Sequence, residues 1–308
     1  MMMGLVLPAS AALTTFQQYN GNIGYSADGF GSRFQSGTIS ASVPVGSTVL
    51  AAYVYSAIFQ NITGLNVGGT LNGTEMSGGS FTSNPSVGGA LGATRFNVTS
   101  IVKPIIDVGL GGIYNFTITE RSPTQDGAAL VVVYSNGSLP TSTFAILDGF
   151  SAVGGDSFSA NFATPLNPSA AGFFAEMALG IGFSFTGQTS TVNVNGTIIT
   201  RNAGGFDDGS ASEGALITVG GFDDPFSPFL PSFAEDKERY NLVPQITIGD
   251  TSISVRTNNP TNDDNIFLAM IHVSGTATVG DGAIPEPSTY ALMATGILGL
   301  FLARRRKA

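Results

Sequence analysis

Residues 38–278 form a succession of short apolar or alternating runs, separated by clusters of Gly, Asn, Pro and Ser, with hardly a stretch of helical period. The run at residues 113–119 alternates cleanly, with Tyr114, Phe116 and Ile118 on one face and polar residues on the other. Because strand side chains point alternately to the two faces of a sheet, this run predicts a strand with one buried face. A chain with this pattern buries its apolar residues in sheets.

Three longer runs are nearly continuous in apolar residues: Val49–Phe59, Ala128–Tyr134 and Ile266–Val273. This composition is typical of strands in the centre of a sandwich. A hairpin is predicted at residues 191–200, because Asn195 and Gly196 both tolerate the positive φ angles of a type I′ turn. The only helix predicted in this part of the chain covers Ala170–Leu179.

Roughly a dozen such strands without a linker-like break predict an all-β fold, a large antiparallel β-sandwich of jelly-roll-like type. The predicted organisation is a partial signal peptide at residues 1–12, the sandwich body at residues 13–283 and a tail at residues 284–308 with a short hydrophobic C-terminal helix. Two packed lobes are the alternative arrangement of the body, with a seam at the turn-rich residues 136–140.

The N-terminal residues 2–13 are apolar and include the small residues Ala9, Ser10 and Ala11, as in the hydrophobic segment and cleavage site of a signal peptide. No basic residue precedes them. We therefore interpret them as the second part of a signal peptide that starts upstream, and we expect cleavage after Ala11 or Ala12.

The residue inventory excludes several kinds of chemistry. Cysteine is absent and His272 is the single histidine, which excludes disulfides, thiol nucleophiles and multi-histidine metal sites. A Ser-His-Asp triad would have to use His272, but this residue lies in an apolar strand and is predicted to be a packed or hydrogen-bonded structural residue. We predict no catalytic residues, although a glycoside hydrolase needs only two carboxylates and stays open as an alternative.

Charge excludes one class of partner. The net charge is -9, but residues 1–283 carry eight basic against twenty acidic residues. Such an acidic body repels phosphate backbones, so nucleic acid is not an expected partner.

Paired aspartates mark two Gly-rich loops. The sequence Gly-Gly-Phe-Asp-Asp occurs twice, sixteen residues apart, and contributes Asp207, Asp208, Asp223 and Asp224. Calcium takes six to eight oxygen ligands, which carboxylates and backbone carbonyls of such loops can supply. These four residues are the candidate metal ligands, with Ca²⁺ as the expected ion; solvated Asx turns are the other interpretation, and no further cofactor is expected.

Carbohydrate binding is a second possible activity of the body. The chain has 22 Phe and 8 Tyr but no Trp, the best platform for a sugar ring. Four of the Phe residues lie in a Pro-interrupted loop, at Phe222, Phe226, Phe229 and Phe233. This loop is predicted to cover a sheet edge, with an exposed contact surface as the alternative.

The C-terminal tail combines three parts in a fixed order. A proline-stiffened segment that contains Pro285, Glu286 and Pro287 is followed by an apolar run at Tyr290–Ala303 and a basic end, Arg304, Arg305, Arg306 and Lys307. This order is typical of a segment inserted in a bilayer with its basic end in the cytoplasm. The run is shorter than the roughly 20 residues that span a membrane comfortably, so it suits transient retention during processing better than permanent anchoring.

The same residues resemble a PEP-CTERM sorting signal, with Pro285, Glu286 and Pro287 as the sorting motif and Arg304 to Lys307 as the membrane stop. The resemblance implies a protein that is exported across the inner membrane of a Gram-negative bacterium and cleaved near the motif by an exosortase. It also implies association with extracellular polysaccharide, a biofilm matrix or the cell surface. A single-pass anchor without cleavage is the alternative.

Together these features predict a non-enzymatic protein of the bacterial envelope or extracellular matrix with a structural or adhesive role. The alternatives are a calcium- or glycan-binding surface module and a secreted carbohydrate-active enzyme.

Overall fold

The computed structural model describes residues 12–31, 33–59, 67–84, 91–152, 154–182, 184, 187–206, 208, 214, 216–261 and 265–281. In its first half these are the elements β1 (Thr14–Gly21), β2 (Ile23–Phe30), β3 (Ser36–Val43), β4 (Thr48–Phe59), β5 (Gly69–Leu71), β6 (Thr74–Glu75), β7 (Ser80–Asn84), β8 (Leu91–Asn97), α1 (Thr99–Ile106), β9 (Gly112–Glu120) and β10 (Gln125–Ser135). The second half contains β11 (Ser142–Asp148), β12 (Ser157–Phe162), β13 (Ala175–Gly182), β14 (Thr191–Val194), β15 (Thr197–Arg201), β16 (Ile217–Val219), β17 (Arg239–Asn241), a 3-10 turn (Val243–Gln245), β18 (Ser252–Asn258), β19 (Asn265–Ser274) and β20 (Ala277–Asp281).

These strands form four antiparallel sheets, which confirms the all-β sandwich-like prediction. Sheet I has the order β3-β9-β5-β6, and sheet II has the order β2-β10-β4-β8-β7. Sheet III has the order β1-β11-β19-β13-β16, with β17 also paired to β13. Sheet IV has the order β15-β14-β18-β12-β20.

The four sheets pack as successive layers, with one hydrophobic core between each pair of neighbouring sheets. The first core lies between sheets I and II and includes Phe116 and Leu130. The second lies between sheets II and III and includes Val131 and Phe144, and the third joins sheets III and IV. Sheets II and III are therefore covered on both faces, which requires apolar residues at successive positions of their strands.

This layering explains the continuous apolar runs seen in the sequence. In β10, Leu130 and Val132 contribute to the first core, while Val131 and Val133 contribute to the second. The strands predicted at Val49–Phe59, Ala128–Tyr134 and Ile266–Val273 are confirmed as β4, β10 and β19.

Two further local predictions are confirmed. β9 alternates as expected, with Phe116 and Ile118 buried and the residues between them more exposed. The hairpin of β14 and β15 turns at Asn195 and Gly196, whose φ angles are 49° and 83°. Both central residues of the turn thus have the positive φ that a type I′ turn requires.

The helix predicted at Ala170–Leu179 is wrong. Residues 168–172 form turns, and the following residues form β13, which pairs with β19 on one side and with β16 and β17 on the other. Pairing on both edges and burial on both faces override the local helix propensity of the Ala-, Glu-, Met- and Leu-rich segment. Among the described residues, the helix α1 was not predicted from the sequence because Pro104 lies inside it.

The four sheets divide along the chain near the predicted seam. Sheets I and II use residues 23–135, whereas sheets III and IV use residues 142–281 together with β1. Residues 136–140 form the turn between the two groups of sheets.

The domain limits at residues 12 and 283 stay predictions, because residues 1–11 and 282–308, including the predicted hydrophobic C-terminal helix, lie outside the described residues. In the part of the chain that the structure describes, no helix is long and apolar enough to cross a membrane.

We expect the substitution Phe144→Ala to lower the free energy of unfolding by roughly 3–5 kcal/mol, because it empties part of the core between sheets II and III. The Phe144 ring is fully buried and stacks on Tyr25 with 4.4 Å between ring centroids. Chemical denaturation measures the change. Leu50→Ala, at a side chain that is 42% exposed on β4, is the control and should cost less than about 1 kcal/mol. Equal effects of the two substitutions would contradict the packing of sheet II on sheet III.

Candidate functional site

A polar cavity of about 310 Å³ opens where the edges of sheets II and III meet. Its walls come from β1, β4, β7, β8, β11 and β19, and the lining residues are Thr14, Thr15, Phe16, Tyr55, Ser80, Thr82, Ala93, Arg95, Asp148 and Phe267. We call it the inter-sheet pocket. Its volume lies at the small end of the range of about 300–1,000 Å³ that is typical of ligand sites.

Strand register places the sheet II wall of the inter-sheet pocket. Tyr55 of β4 pairs with Arg95 of β8, and Ser80 of β7 pairs with Arg95 from the other side. Residues that pair directly across neighbouring strands point to the same face of the sheet. The Tyr55 phenol, the Arg95 guanidinium and the Ser80 hydroxyl therefore lie in one row across the sheet. Thr82 lies beside this row on β7.

The sheet III wall depends on an irregularity in β1. Thr15 pairs with Leu147, but Gln17 pairs with Ile146, so Phe16 is an extra residue in the ladder between β1 and β11. Such a bulge turns a side chain away from its regular direction. The Phe16 ring lies 3.4 Å from the guanidinium carbon of Arg95, measured to the ring centroid, and packs edge-on against Tyr53.

An ion pair joins the two walls of the inter-sheet pocket. Arg95 Nη1 donates to Asp148 Oδ2, and the Tyr55 hydroxyl donates to the same oxygen at 3.2 Å. The two charged side chains are 20% and 16% exposed, so the pair is largely screened from water. Burial, together with the neighbouring Asp148 carboxylate, raises the pKa of Tyr55 well above its ordinary value, and the phenol stays a hydrogen-bond donor. The pocket thus presents a fixed donor plane, a carboxylate and several hydroxyls with no net charge.

Two other depressions have simpler walls. One of about 680 Å³ runs along α1 between Asn97 and Asp107, and its lining residues include no aromatic side chain. The other, of about 250 Å³, lies on sheet IV beside Ser159 and Arg256. Neither combines an ion pair with aromatic rings, so the inter-sheet pocket is the better candidate site.

The structure gathers three of the four predicted metal ligands. Asp223 and Asp224 lie close enough that their charges raise the pKa of Asp208, and Asp28 of β2 joins them. Asp207 lies outside the described residues. Three of these carboxylates accept a hydrogen bond from a backbone N–H. The donors are Ser40 for Asp28, Val219 for Asp208 and Gly221 for Asp224.

Burial in this aspartate cluster favours the protonated forms of Asp28 and Asp208. Burial, opposed by the Ser40 hydrogen bond and reinforced by the charge of Asp223, raises the pKa of Asp28 to about 7. Burial and the charge of Asp224 raise the pKa of Asp208 as well. Among the residues that the structure describes, no group of three or more His, Asp or Glu side chains has the arrangement of a metal site. Calcium binding by Asp207, Asp208, Asp223 and Asp224 stays a prediction.

His272 lies between a serine and a carboxylate. Its Nε2 is 3.1 Å from Ser142 Oγ, and its Nδ1 is 3.5 Å from Glu176 Oε1. This order resembles a Ser-His-Asp/Glu triad, but Ser142 is fully buried and its hydroxyl donates to the Ile23 carbonyl at 2.9 Å. Arg239 also holds Glu176 at 3.0 Å. The histidine is hydrogen-bonded within the sheet, as predicted for a structural residue.

The Phe-rich loop covers a sheet edge at one end and is exposed at the other. The Phe222 N–H donates to the Ala27 carbonyl of β2 at 2.8 Å, so the loop covers the edge of sheet II at this point. Further along, Phe226 and Phe229 are 45% and 65% exposed. The Arg239 guanidinium lies 4.7 Å from the centroid of the Phe226 ring and fixes its orientation.

Comparison with known proteins identifies the tail. Residues 283–307 match the PEP-CTERM protein-sorting motif, which confirms the resemblance seen in the sequence. The chain is thus an exported protein that is sorted and processed by an exosortase, a membrane enzyme. The motif residues Pro285, Glu286 and Pro287 and the basic residues Arg304, Arg305, Arg306 and Lys307 lie outside the described residues.

The body resembles solved structures only distantly, and no curated protein matches the chain. BpGH86A, a β-porphyranase of glycoside hydrolase family 86 from the human gut bacterium Bacteroides plebeius, is 11% identical, with a TM-score of 0.24 over 84% of this chain and 37% of that chain. BuGH86 in complex with neoagarooctaose is 11% identical, with a TM-score of 0.17 over 85% of this chain and 35% of that chain. The chain thus spans little more than a third of each, and similarity at this level carries no argument about activity.

The sequence did not indicate the inter-sheet pocket. Arg95 and Asp148 are 53 positions apart, Arg95 within β8 and Asp148 at the end of β11. The bulge at Phe16 has no glycine to mark it. A charged residue in each of two mainly apolar runs was the available signal, since such residues need a partner when they are buried.

Proposed function

We propose that this chain is a non-enzymatic protein of the cell surface or extracellular matrix of a Gram-negative bacterium, with a structural or adhesive role in association with extracellular polysaccharide. The sorting motif at residues 283–307 carries the proposal, because it directs the body out of the cell by way of the inner membrane. The exosortase and the inner membrane are transient partners, and the polysaccharide is the lasting one.

The geometry of the body supports a binding role over a catalytic one. The triad-like Ser142 is enclosed in the protein and hydrogen-bonded to a backbone carbonyl, so a substrate has no path to its hydroxyl. One hydrogen-bonded carboxyl pair, Asp236 and Glu238, is also fully buried. A glycosidase needs two carboxylates on opposite sides of an accessible glycosidic bond. The inter-sheet pocket, by contrast, is open, and its lining includes a single carboxylate, that of Asp148.

Retention on the host's own polysaccharide tests this proposal. We expect the full chain to be retarded by the purified extracellular polysaccharide of its host in native affinity electrophoresis, without release of reducing ends during prolonged incubation. Serum albumin in the same gel is the control for nonspecific retardation. Release of reducing ends by the wild-type chain would establish the enzymatic alternative, and unchanged mobility would contradict polysaccharide association.

A further inference from the structure

We propose that the inter-sheet pocket binds one neutral glycosyl unit of a polysaccharide chain. This inference rests on the proposed function, to which it adds a site and a ligand class. The pocket volume of about 310 Å³ suits a ligand of one or two sugar rings and excludes a folded polypeptide.

The hydrogen-bonding groups of the inter-sheet pocket match a polyol. A sugar hydroxyl both donates and accepts, so it needs donors and acceptors close together. Arg95 supplies a planar set of donors, Asp148 supplies acceptors, and hydroxyls of Thr14, Ser80 and Thr82 line the mouth. The bonds from Arg95 and Tyr55 both go to Asp148 Oδ2, so neither of them uses Oδ1.

Charge balance selects a neutral ligand. The Arg95 charge is already paired with Asp148, and the body around the pocket is strongly acidic. An anionic sugar would have to compete with Asp148 for the guanidinium and would leave a half-buried carboxylate without its partner. A neutral sugar leaves the ion pair intact and adds hydrogen bonds to it.

The inter-sheet pocket is also held in shape before a ligand arrives. Phe16 stacks on one face of the Arg95 guanidinium, and Asp148 holds its edge, so the donor plane has one orientation. Tyr55 is nearly fully buried, and its hydroxyl is held by the hydrogen bond to Asp148. Fixed side chains lose little conformational entropy on binding. This lowers the free-energy cost of binding a ligand, such as a sugar, whose individual contacts are weak.

The substitution Thr82→Tyr tests the site by filling its mouth. Thr82 is exposed on the edge strand β7, where a tyrosine is compatible with the strand. The matched control is Thr278→Tyr, an exposed threonine on β20, which is the edge strand of sheet IV. Both variants are compared with the wild-type chain by isothermal titration, after thermal melting has shown that they fold.

The titrants are neutral and acidic oligosaccharides, prepared by partial hydrolysis of the host polysaccharide and separated by anion exchange. We expect the neutral fraction to bind the wild-type chain at least tenfold more tightly than the acidic fraction. Thr82→Tyr should weaken this binding at least tenfold, and Thr278→Tyr should not change it. Equal affinity of Thr82→Tyr and the wild-type chain, a preference for the acidic fraction, or no binding of either fraction would overturn the inference.

The failure of the site and the failure of the proposed function give different results. If the wild-type chain and Thr82→Tyr are retained equally by intact polysaccharide, the pocket is not the binding site but the proposed function stands. If the wild-type chain is not retained by intact polysaccharide, the proposed function fails, whereas loss of neutral oligosaccharide binding in Thr82→Tyr would still support the site.

Discussion

Raising the pH from about 5 to about 10 is expected to destabilise the fold by on the order of 5 kcal/mol, because buried carboxyls must give up their protons. Glu120 is 5% exposed at the end of β9, and its Oε1 has no hydrogen-bond partner among the described residues. Burial and the charge of Asp126 raise its pKa to about 9. Burial likewise raises the pKa of Asp28 to about 7 and raises the pKa of Asp208 and Asp236.

The direction follows from proton linkage. In the unfolded chain these carboxyls titrate near their ordinary pKa of about 4, so between that value and the raised pKa only the folded state holds the protons. The stabilisation is complete below the unfolded pKa and is lost as the pH rises through about 7 for Asp28 and about 9 for Glu120. Glu176 acts oppositely: despite burial, its hydrogen bond to His272 and the charge of Arg239 lower its pKa, so its contribution is lost in acid.

Urea denaturation across this pH range measures the effect, and Glu120→Gln isolates one group. This variant cannot ionise at residue 120, so its stability should fall less than that of the wild-type chain between about pH 7 and pH 10. Glu75→Gln is the matched control, because Glu75 is exposed and paired with Arg121 at the surface. A stability that rises towards pH 9, or a Glu120→Gln variant with the wild-type pH dependence, would contradict the buried carboxyl arrangement.

Replacing Pro285, Glu286 and Pro287 together by alanine is expected to abolish processing of the tail. These residues lie within the matched sorting motif, and we expect the exosortase to recognise them while the apolar run behind them holds the chain in the membrane. Without recognition the full-length chain should accumulate in the membrane fraction, and the extracellular amount should fall at least tenfold. Quantitative immunoblotting of the two fractions measures the distribution.

The control for this experiment is Thr278→Ala, which changes an exposed residue of β20 outside the motif. It should be processed like the wild-type chain. Replacing Arg304, Arg305, Arg306 and Lys307 by serine should also impair processing, because the basic end sets the orientation of the apolar run. Normal release of the triple alanine variant would show that the motif does not direct sorting.

The central strands and the β14–β15 turn were predictable because they depend on residues that are close together in the sequence. Continuous apolar residues at Ala128–Tyr134 and Ile266–Val273 indicate strands that are buried on both faces. In the structure each of these strands lies in a sheet that has another sheet packed on either face. The turn at Asn195 and Gly196 depends only on two adjacent residues. The helix at Ala170–Leu179 was wrong because pairing with distant strands decides the conformation of that segment.

The sites depend on contacts that one-dimensional patterns do not contain. Sequence repetition brought Asp208, Asp223 and Asp224 to notice, but Asp28 joins them only because the loop after β16 crosses β2. In the inter-sheet pocket, Arg95 meets Asp148 through the stacking of sheet II on sheet III. The sorting tail was recognised from sequence because it is a linear motif, which does not depend on long-range contacts within the chain.

The most direct test of the account is the intact mass of the protein recovered from the extracellular and membrane fractions of its native host. We predict an extracellular species that begins at Ala12 or Leu13 and ends near Pro285–Pro287, since Leu13 is packed in the core between sheets III and IV. A full-length species confined to the inner membrane would contradict export and processing, and would leave a tail-anchored protein in their place.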